Sequence, residues 1–193
     1  MGSLSLEIKA RCSDPGRIRK ILLIRGASFK GLDRQVDTYF RVPSGRLKLR
    51  EGNIENALIY YKRADQKNSK KCDSLLWRPC EHRGQASGNC LYPMRSLKQI
   101  LKTVCGVLTI VDKKREIYFI KNVKFHIDRV KKSGNFVEIE VFDRKKGVGV
   151  AKLRKQCEFY QKILGIRAKD LIADSYSDQS LRLAASKGLV ARD

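Results

Sequence analysis

Several short segments of the chain alternate apolar residues with charged ones. Clear examples are Arg46–Arg50, Lys124–Asp128 and Val137–Val141. Because successive side chains of a β-strand point to opposite faces, each segment predicts a strand with one apolar and one charged face. A single strand of this kind is typical of a sheet whose charged face meets solvent. Four or five of them, one carrying the adjacent pair Glu138 and Glu140, favour charged faces that converge inside a barrel.

Turn residues divide the chain into about eight predicted strands with helices between some of them. The strands are Leu4–Arg11, Gln35–Val42, Arg46–Arg50, Ala57–Arg63, Val107–Val111, Arg115–Ile120, Val123–Val130 and Asn135–Phe142. The helices are one opened by Asp14-Pro15, one at Ser96–Gly106 and one at about Gly149–Leu164. Strands and helices do not alternate strictly, which favours an α+β fold with an antiparallel sheet over a Rossmann arrangement.

The length of 193 residues predicts one domain. We expect this domain to cover residues 4–176. Residues 64–95 are largely polar and irregular and predict a long loop, and residues 177–193 predict a polar C-terminal tail.

The charge of the chain predicts an anionic partner. It has 42 Lys and Arg residues against 20 Asp and Glu, a formal net charge of +22. Nucleic acid, an anionic membrane and phosphorylated small molecules are all consistent with this balance, and composition does not choose among them.

The sequence contains no apolar stretch long enough for a membrane helix, and its first residues lack a signal-peptide pattern. Its six cysteines show neither the density nor the spacing of a disulfide framework. These features predict a soluble cytoplasmic protein with reduced thiols and no membrane partner.

A barrel interior carrying both signs of charge has a definite chemical use. Closely placed Lys and Arg side chains neutralise polyphosphate oxygens, whereas carboxylates hold hard cations that bridge those oxygens. A carboxylate site without histidine or thiolate ligands favours Mg²⁺ or Mn²⁺ over zinc.

An ordered set of motifs resembles the CYTH family, which includes class IV adenylyl cyclases and thiamine triphosphatases. Glu7-Ile8-Lys9 is similar to the second half of the family's Glu-x-Glu-x-Lys signature. The other matching segments are Asp37–Phe40, Gly45–Glu51, Leu58–Arg63, Lys113–Arg115, His126–Asp128 and Gly134–Glu140. The resemblance runs from about Leu4 to Tyr176 and implies eight antiparallel strands closed into a tunnel that binds a triphosphate.

The resemblance also implies roles for individual residues. The implied phosphate-binding residues are Lys9, Lys48, Arg50, Arg63, Lys113, Arg115 and Lys124, with Lys62 as an alternative to Arg63. The implied metal-binding residues are Glu7, Asp128, Glu138 and Glu140. For catalysis, we expect a second metal or Lys9 to help orient water.

The chain departs from the family pattern at three of these positions. Ser5 stands where the signature has its first glutamate, so one metal ligand is replaced by a hydroxyl. Lys48 and Lys124 stand where relatives often have arginine, and lysine keeps the charge but not the bidentate geometry.

These observations predict a metal-dependent phosphohydrolase whose substrate is a triphosphate such as tripolyphosphate, thiamine triphosphate or ATP. One alternative is a class IV adenylyl cyclase, which would convert ATP to cyclic AMP and pyrophosphate. Another is a non-catalytic module that binds a triphosphate or nucleotide, an interpretation motivated by Ser5 and by the lysines Lys48 and Lys124. A nucleic-acid-binding protein is a further alternative, favoured by the net charge alone.

Overall fold

The structure, a computed structural model, describes residues 3–63, 70–79, 91–143, 147 and 149–186. Its strands are β1 Ser3–Arg11, β2 Ser28–Phe40, β3 Arg46–Glu51, β4 Ala57–Arg63, β5 Lys70–Trp77, β6 Val107–Ile120, β7 Val123–Val130 and β8 Gly134–Phe142. Its helices are α1 Pro15–Ile24, α2 Leu91–Cys105, α3 Val150–Ile163 and α4 Tyr176–Ala185, with a 3₁₀ turn at Ala168–Asp170.

The eight strands form a closed barrel in the order β1-β5-β4-β3-β2-β6-β7-β8. Every neighbouring pair is antiparallel, and β1 closes the barrel by pairing with both β5 and β8. The predicted α+β fold with an eight-stranded antiparallel barrel and flanking helices is therefore confirmed.

Alternation within β1 explains how the barrel separates a polar interior from an apolar exterior. Leu6, Ile8 and Ala10 point outward and are buried in the main hydrophobic core. Helices α1 and α3 cover this outer surface, each burying an apolar stripe that includes Leu22 and Leu153 respectively. The charged residues of β1 consequently face the interior of the barrel.

The other two long helices cover different parts of the barrel. Met94 of α2 packs outside β2 and β3 against Phe40 and Leu49. Helix α4 packs against β6, and its first residue, Tyr176, joins an interior cluster that includes Phe136. Ser175 caps α4 by accepting a hydrogen bond from the Asp178 backbone. No helix in the described ranges has the length and apolar character needed to cross a membrane.

Three expectations about the elements were wrong. The segment 64–95 is not one long loop, because it contains β5 and the start of α2; its residues 64–69 and 80–90 lie outside the described residues. Strand β5 follows no clear alternation, and its pairing with β1 and β4 decides its conformation.

The predicted tail contains α4, with residues 187–193 outside the described part. The two strands predicted at 107–111 and 115–120 form the single strand β6, so the number of strands stays at eight.

Candidate functional site

The barrel encloses a cavity of about 710 Å³. Eight of the predicted site residues line it, namely Glu7, Lys9, Lys48, Arg50, Arg115, Lys124, Glu138 and Glu140. The strand register explains this convergence, because Glu7 lies opposite Glu140 and Lys9 opposite Glu138 in the β1–β8 pair. Residues two apart on a strand share a face, so the polar residues at alternate positions of these strands also point into the barrel.

Two predicted residues lie deeper than the cavity lining, and one cannot be placed. Lys113 and Asp128 are almost fully buried and contact other site residues rather than the cavity. Arg63 ends β4, but its side chain lies outside the described residues. The alternative to it, Lys62, is exposed.

A buried carboxylate, Asp37 of β2, organises three of the predicted phosphate-binding cations. It accepts hydrogen bonds from Arg50 at 2.9 and 3.0 Å, from Lys113 at 2.6 Å and from Lys48 at 3.2 Å. Burial raises the pKa of Asp37, but these three cations outweigh burial and hold its pKa well below the usual range. Asp37 is therefore a carboxylate that fixes the cations in place.

Asp128 holds Arg115 in the same manner. The Arg115 guanidinium donates to both Asp128 oxygens, at 2.7 and 2.5 Å, and to Glu138 at 2.8 Å. The Tyr176 hydroxyl donates to Asp128 at 2.7 Å. The Tyr176 ring also lies 3.9 Å from the Lys9 amine, a cation–π distance. Asp128 thus has an arginine and a tyrosine as partners, and its role as a metal ligand, which the resemblance implies, stays a prediction.

Glu138 lies at the centre of a second cluster, within 3.4 Å of the Lys9 amine and 3.0 Å of the His126 Nδ1 atom. Burial lowers the pKa of His126 to about 4, with Arg115 and Lys124 acting in the same direction. A neutral imidazole beside an ionised glutamate donates through Nδ1, which leaves Nε2 as an acceptor. The buried Nε2 atom has no hydrogen-bond partner among the described residues.

Glu55, in the loop between β3 and β4, places a carboxylate against cations from two sides of the tunnel. It accepts from Lys124 at 2.5 Å and from Arg50 at 3.2 Å. Burial raises the pKa of Glu55, but Lys124 and Arg50 outweigh burial and lower the pKa far below the usual value. The contacts resemble those that a phosphate oxygen would make with the same donors.

The pair Glu7 and Glu140 is the part of the site that best fits a divalent cation. Burial, together with the neighbouring charge of Glu7, raises the pKa of Glu140 to about 7. Ser5, in place of the family's first glutamate, donates a hydrogen bond to Glu140 at 3.2 Å. Within the described ranges, no three His, Cys, Asp or Glu side chains are grouped to hold a metal ion. Two carboxylates do fit Mg²⁺, which is commonly held by one or two carboxylates together with substrate phosphates.

One wall of the cavity is uncharged in its described part, apart from Arg78 just beyond the end of β5. Strands β4 and β5 line it with Ala57, Ile59, Tyr61, Ser74 and Leu76. Leu76 is 43% exposed although it faces the cavity. The lining cations therefore lie mainly on the remaining strands.

Four residues of the site were not among the predicted ones: Asp37, Glu55, His126 and Tyr176. His126 shares a strand face with the predicted site residues Lys124 and Asp128, so alternation could have identified it. Asp37 lies on β2, a predicted strand to which no site residue was assigned. Glu55 lies in a loop and Tyr176 begins a helix after the last strand, where no periodic pattern indicates an inward direction.

Comparisons with known proteins agree with this architecture. The CYTH domain pattern matches residues 4–176. The PH1012 protein of Pyrococcus horikoshii OT3 is 25% identical, with a TM-score of 0.71 over 90% of this chain and 98% of that chain. None of the curated proteins matches the chain in sequence.

Two more distant structures show the same fold. A Vibrio parahaemolyticus protein proposed as an adenylate cyclase is 15% identical, with a TM-score of 0.70 over 94% of this chain and 99% of that chain. HpAC1 of Hippeastrum, a proposed adenylyl cyclase with a dominant triphosphatase activity, is 12% identical, with a TM-score of 0.54 over 98% of this chain and 97% of that chain. Three findings together establish that the chain belongs to the CYTH family: the closed barrel, its interior of both positive and negative side chains, and the domain match over residues 4–176.

Proposed function

We propose that the chain binds a triphosphate in the tunnel and hydrolyses it with the help of Mg²⁺ or Mn²⁺. The observation that carries this proposal is the convergence of cations and carboxylates on one cavity. The lining cations are Lys9, Lys30, Lys48, Arg50, Arg78, Arg115 and Lys124, and the lining carboxylates are Glu7, Glu55, Glu138 and Glu140. Cations held in place by buried carboxylates bind phosphate oxygens with little reorganisation.

In this proposal, Lys48, Arg50, Arg115 and Lys124 bind and orient the phosphate chain, and Glu7 and Glu140 hold the metal. When bound, the metal would supply charge neutralisation to the phosphoryl oxygens. The Lys9 amine lies between Glu138 and the Tyr176 ring, which fix its position. We assign Lys9 the catalytic role of orienting water and stabilising charge on the phosphoryl group.

The uncharged wall supports an organic triphosphate, such as ATP or thiamine triphosphate, over tripolyphosphate alone. A phosphate chain does not need apolar contacts, and a cavity of about 710 Å³ lies within the range typical of small organic ligands. We propose that Ile59 and Leu76 contact the organic group. Leu76→Ala should then weaken binding of an organic triphosphate and leave tripolyphosphate binding unchanged.

A turnover screen with Mg²⁺ or Mn²⁺ tests the proposed function. Tripolyphosphate, thiamine triphosphate and ATP are supplied separately, and phosphate, pyrophosphate and cyclic AMP are each measured. Phosphate release supports hydrolysis, whereas cyclic AMP with pyrophosphate identifies a cyclase. Tight triphosphate binding without any product identifies a non-catalytic binding module. A cytoplasmic location stays a prediction, which fractionation of cells expressing the protein would check.

A further inference from the structure

The excess positive charge of the chain lies outside the tunnel interior. Among the described residues, the buried or half-buried interior cations are Lys9, Lys48, Arg50, Lys113, Arg115 and Lys124, and the corresponding carboxylates are Glu7, Asp33, Asp37, Glu55, Asp128, Glu138 and Glu140. These charges nearly cancel, so a triphosphate site in the interior does not account for the net charge of +22. The cations that produce the net positive charge must therefore lie mainly on the outer surface of the protein.

One part of that surface combines many cations with few acids. Helices α1 and α3 both pack on the outside of β8, and α1 also contacts β7 and α3 contacts β1. The exposed cations of these two helices and Arg25, the residue after α1, form what we call the α1–α3 face. The seven residues are Arg17, Lys20, Arg25, Lys152, Arg154, Lys155 and Lys162. Glu158 is the single acid within the two helices, and none of the seven cations forms an ion pair with a described residue.

This clustering carries a cost in stability. Like charges three or four residues apart on a helix repel, and Arg17 with Lys20 and Lys152 with Lys155 have this spacing. Arg19 of α1 is different, because it pairs with Glu116 at 2.6 Å. A polyanion bound to the face would offset the repulsion among the other cations.

An exposed aromatic side chain lies among these cations. Phe159 is 55% exposed and packs edge-on against Tyr160, with ring centroids 5.1 Å apart. Lys155 lies four residues before Phe159 and Lys162 lies three residues after it, so all three are on the same side of α3. Proteins that bind single-stranded nucleic acid typically place cations against the phosphate backbone of the strand and, beside them, an aromatic ring that stacks on a base.

A membrane surface fits the face less well. Helices that lie in a membrane interface bury a continuous apolar face in the lipid. The apolar stripes of α1 and α3 are already buried against the barrel, through residues that include Leu22 and Leu153. Within the two helices, the exposed large apolar side chains are Leu23, Ile24, Val150 and Phe159.

We propose that the α1–α3 face binds single-stranded nucleic acid, with its lysines and arginines on the phosphates and Phe159 stacked on a base. This binding is independent of the tunnel and of the proposed hydrolysis. It adds a macromolecular partner to a protein whose tunnel binds a small molecule.

Fluorescence anisotropy with a labelled single-stranded DNA oligonucleotide of about 20 nucleotides tests the proposal. The variant Lys152→Glu/Lys155→Glu/Lys162→Glu should bind at least tenfold more weakly than the natural chain. The slope of log affinity against log salt should fall by about 2, at roughly 0.7 per phosphate contact on a single strand. Phe159→Ala should weaken binding about fivefold or more, as expected for loss of one stacked base.

The matched control is Arg34→Glu/Arg95→Glu/Lys102→Glu, which reverses three exposed cations on β2 and α2. This variant should lose less than threefold in affinity. Equal losses in both triple variants would overturn the proposal, because only total charge would then matter. Binding to phosphatidylserine vesicles without binding to the oligonucleotide would also overturn it in favour of a membrane surface. Circular dichroism melting of every variant checks that each is folded.

Discussion

The Lys113 amine lies 2.6 Å from the Asp37 carboxylate, and both side chains are completely buried. Asp37 also accepts hydrogen bonds from Lys48 and Arg50, so one carboxylate fixes three cations from two strands. The tunnel therefore keeps its cations ordered through internal carboxylates. This arrangement makes the predicted phosphate-binding residues part of the stability of the barrel as well as of its chemistry.

Asp37→Asn is expected to destabilise the fold strongly. Loss of the carboxylate leaves three buried or partly buried cations without their shared partner, which should lower the free energy of unfolding by about 3–5 kcal/mol. Urea denaturation measures the change. Asp112→Asn is the control, because Asp112 forms an exposed pair with Lys131 at 3.6 Å and should cost less than about 1 kcal/mol. Similar losses in the two variants would contradict the role given to Asp37.

Stability is expected to rise with pH between about 7 and 9. The pKa of Lys113 is lowered from 10.5 to about 7, mainly by burial and with help from Arg50 and Arg115, against the opposing effect of Asp37. In this range the unfolded chain holds a proton that the folded chain has released, so the free energy of unfolding increases with pH. The contribution is on the order of 1 kcal/mol per pH unit.

Urea denaturation at several pH values measures this slope. Lys113→Met should remove it, and Lys114→Met, at the exposed neighbouring position, should retain it. An unchanged slope in Lys113→Met would assign the effect to another group.

Glu55→Gln is expected to strengthen triphosphate binding. The Glu55 carboxylate contacts Arg50 and Lys124, so a phosphate chain must compete with it for the same donors. Removal of the negative charge should lower the dissociation constant for tripolyphosphate about tenfold, equivalent to about 1.4 kcal/mol. Isothermal titration calorimetry measures the change. Glu51→Gln serves as the control, because Glu51 pairs with Lys98 of α2. Weaker binding by Glu55→Gln would show that Glu55 supports the ligand instead.

Ser5→Glu is expected to increase affinity for Mn²⁺. The Ser5 hydroxyl already contacts Glu140, so a carboxylate there would add a third oxygen ligand beside Glu7 and Glu140. Electron paramagnetic resonance of Mn²⁺ measures binding without reference to activity. Ser5→Gln, of similar size but uncharged, should show no gain. An equal gain in both variants would argue against a metal site at these carboxylates.

Alternation along the strands predicted the charged faces that line most of the tunnel, and the resemblance to the CYTH family assigned the site residues on them. Residues such as Lys9, Arg50 and Glu138 occupy strands whose apolar faces are clear, so their inward direction follows from spacing. Spacing does not indicate depth, however. Lys113 shares the face of Arg115 but lies beneath the cavity lining, because Asp37 of the neighbouring strand holds it there.

The parts that sequence did not predict depend on contacts between distant segments. Strand β5 exists because β1 and β4 pair with it, although its own residues do not alternate clearly. Helix α4 looks like a polar tail in sequence, but Tyr176 anchors it through Asp128 in the tunnel. Glu55 lies in a turn region, where no periodicity indicates that its carboxylate meets Lys124.

Calorimetric titration of the natural chain with tripolyphosphate, pyrophosphate and phosphate tests the central claim most directly. We expect affinity to decrease in that order, because a longer phosphate chain contacts more of the tunnel cations. Lys48→Met and Lys124→Met, which change lining residues, should each weaken tripolyphosphate binding about tenfold, whereas the exposed Lys114→Met should not. Equal affinity for the three anions, or equal effects of all three substitutions, would contradict a triphosphate site in the tunnel.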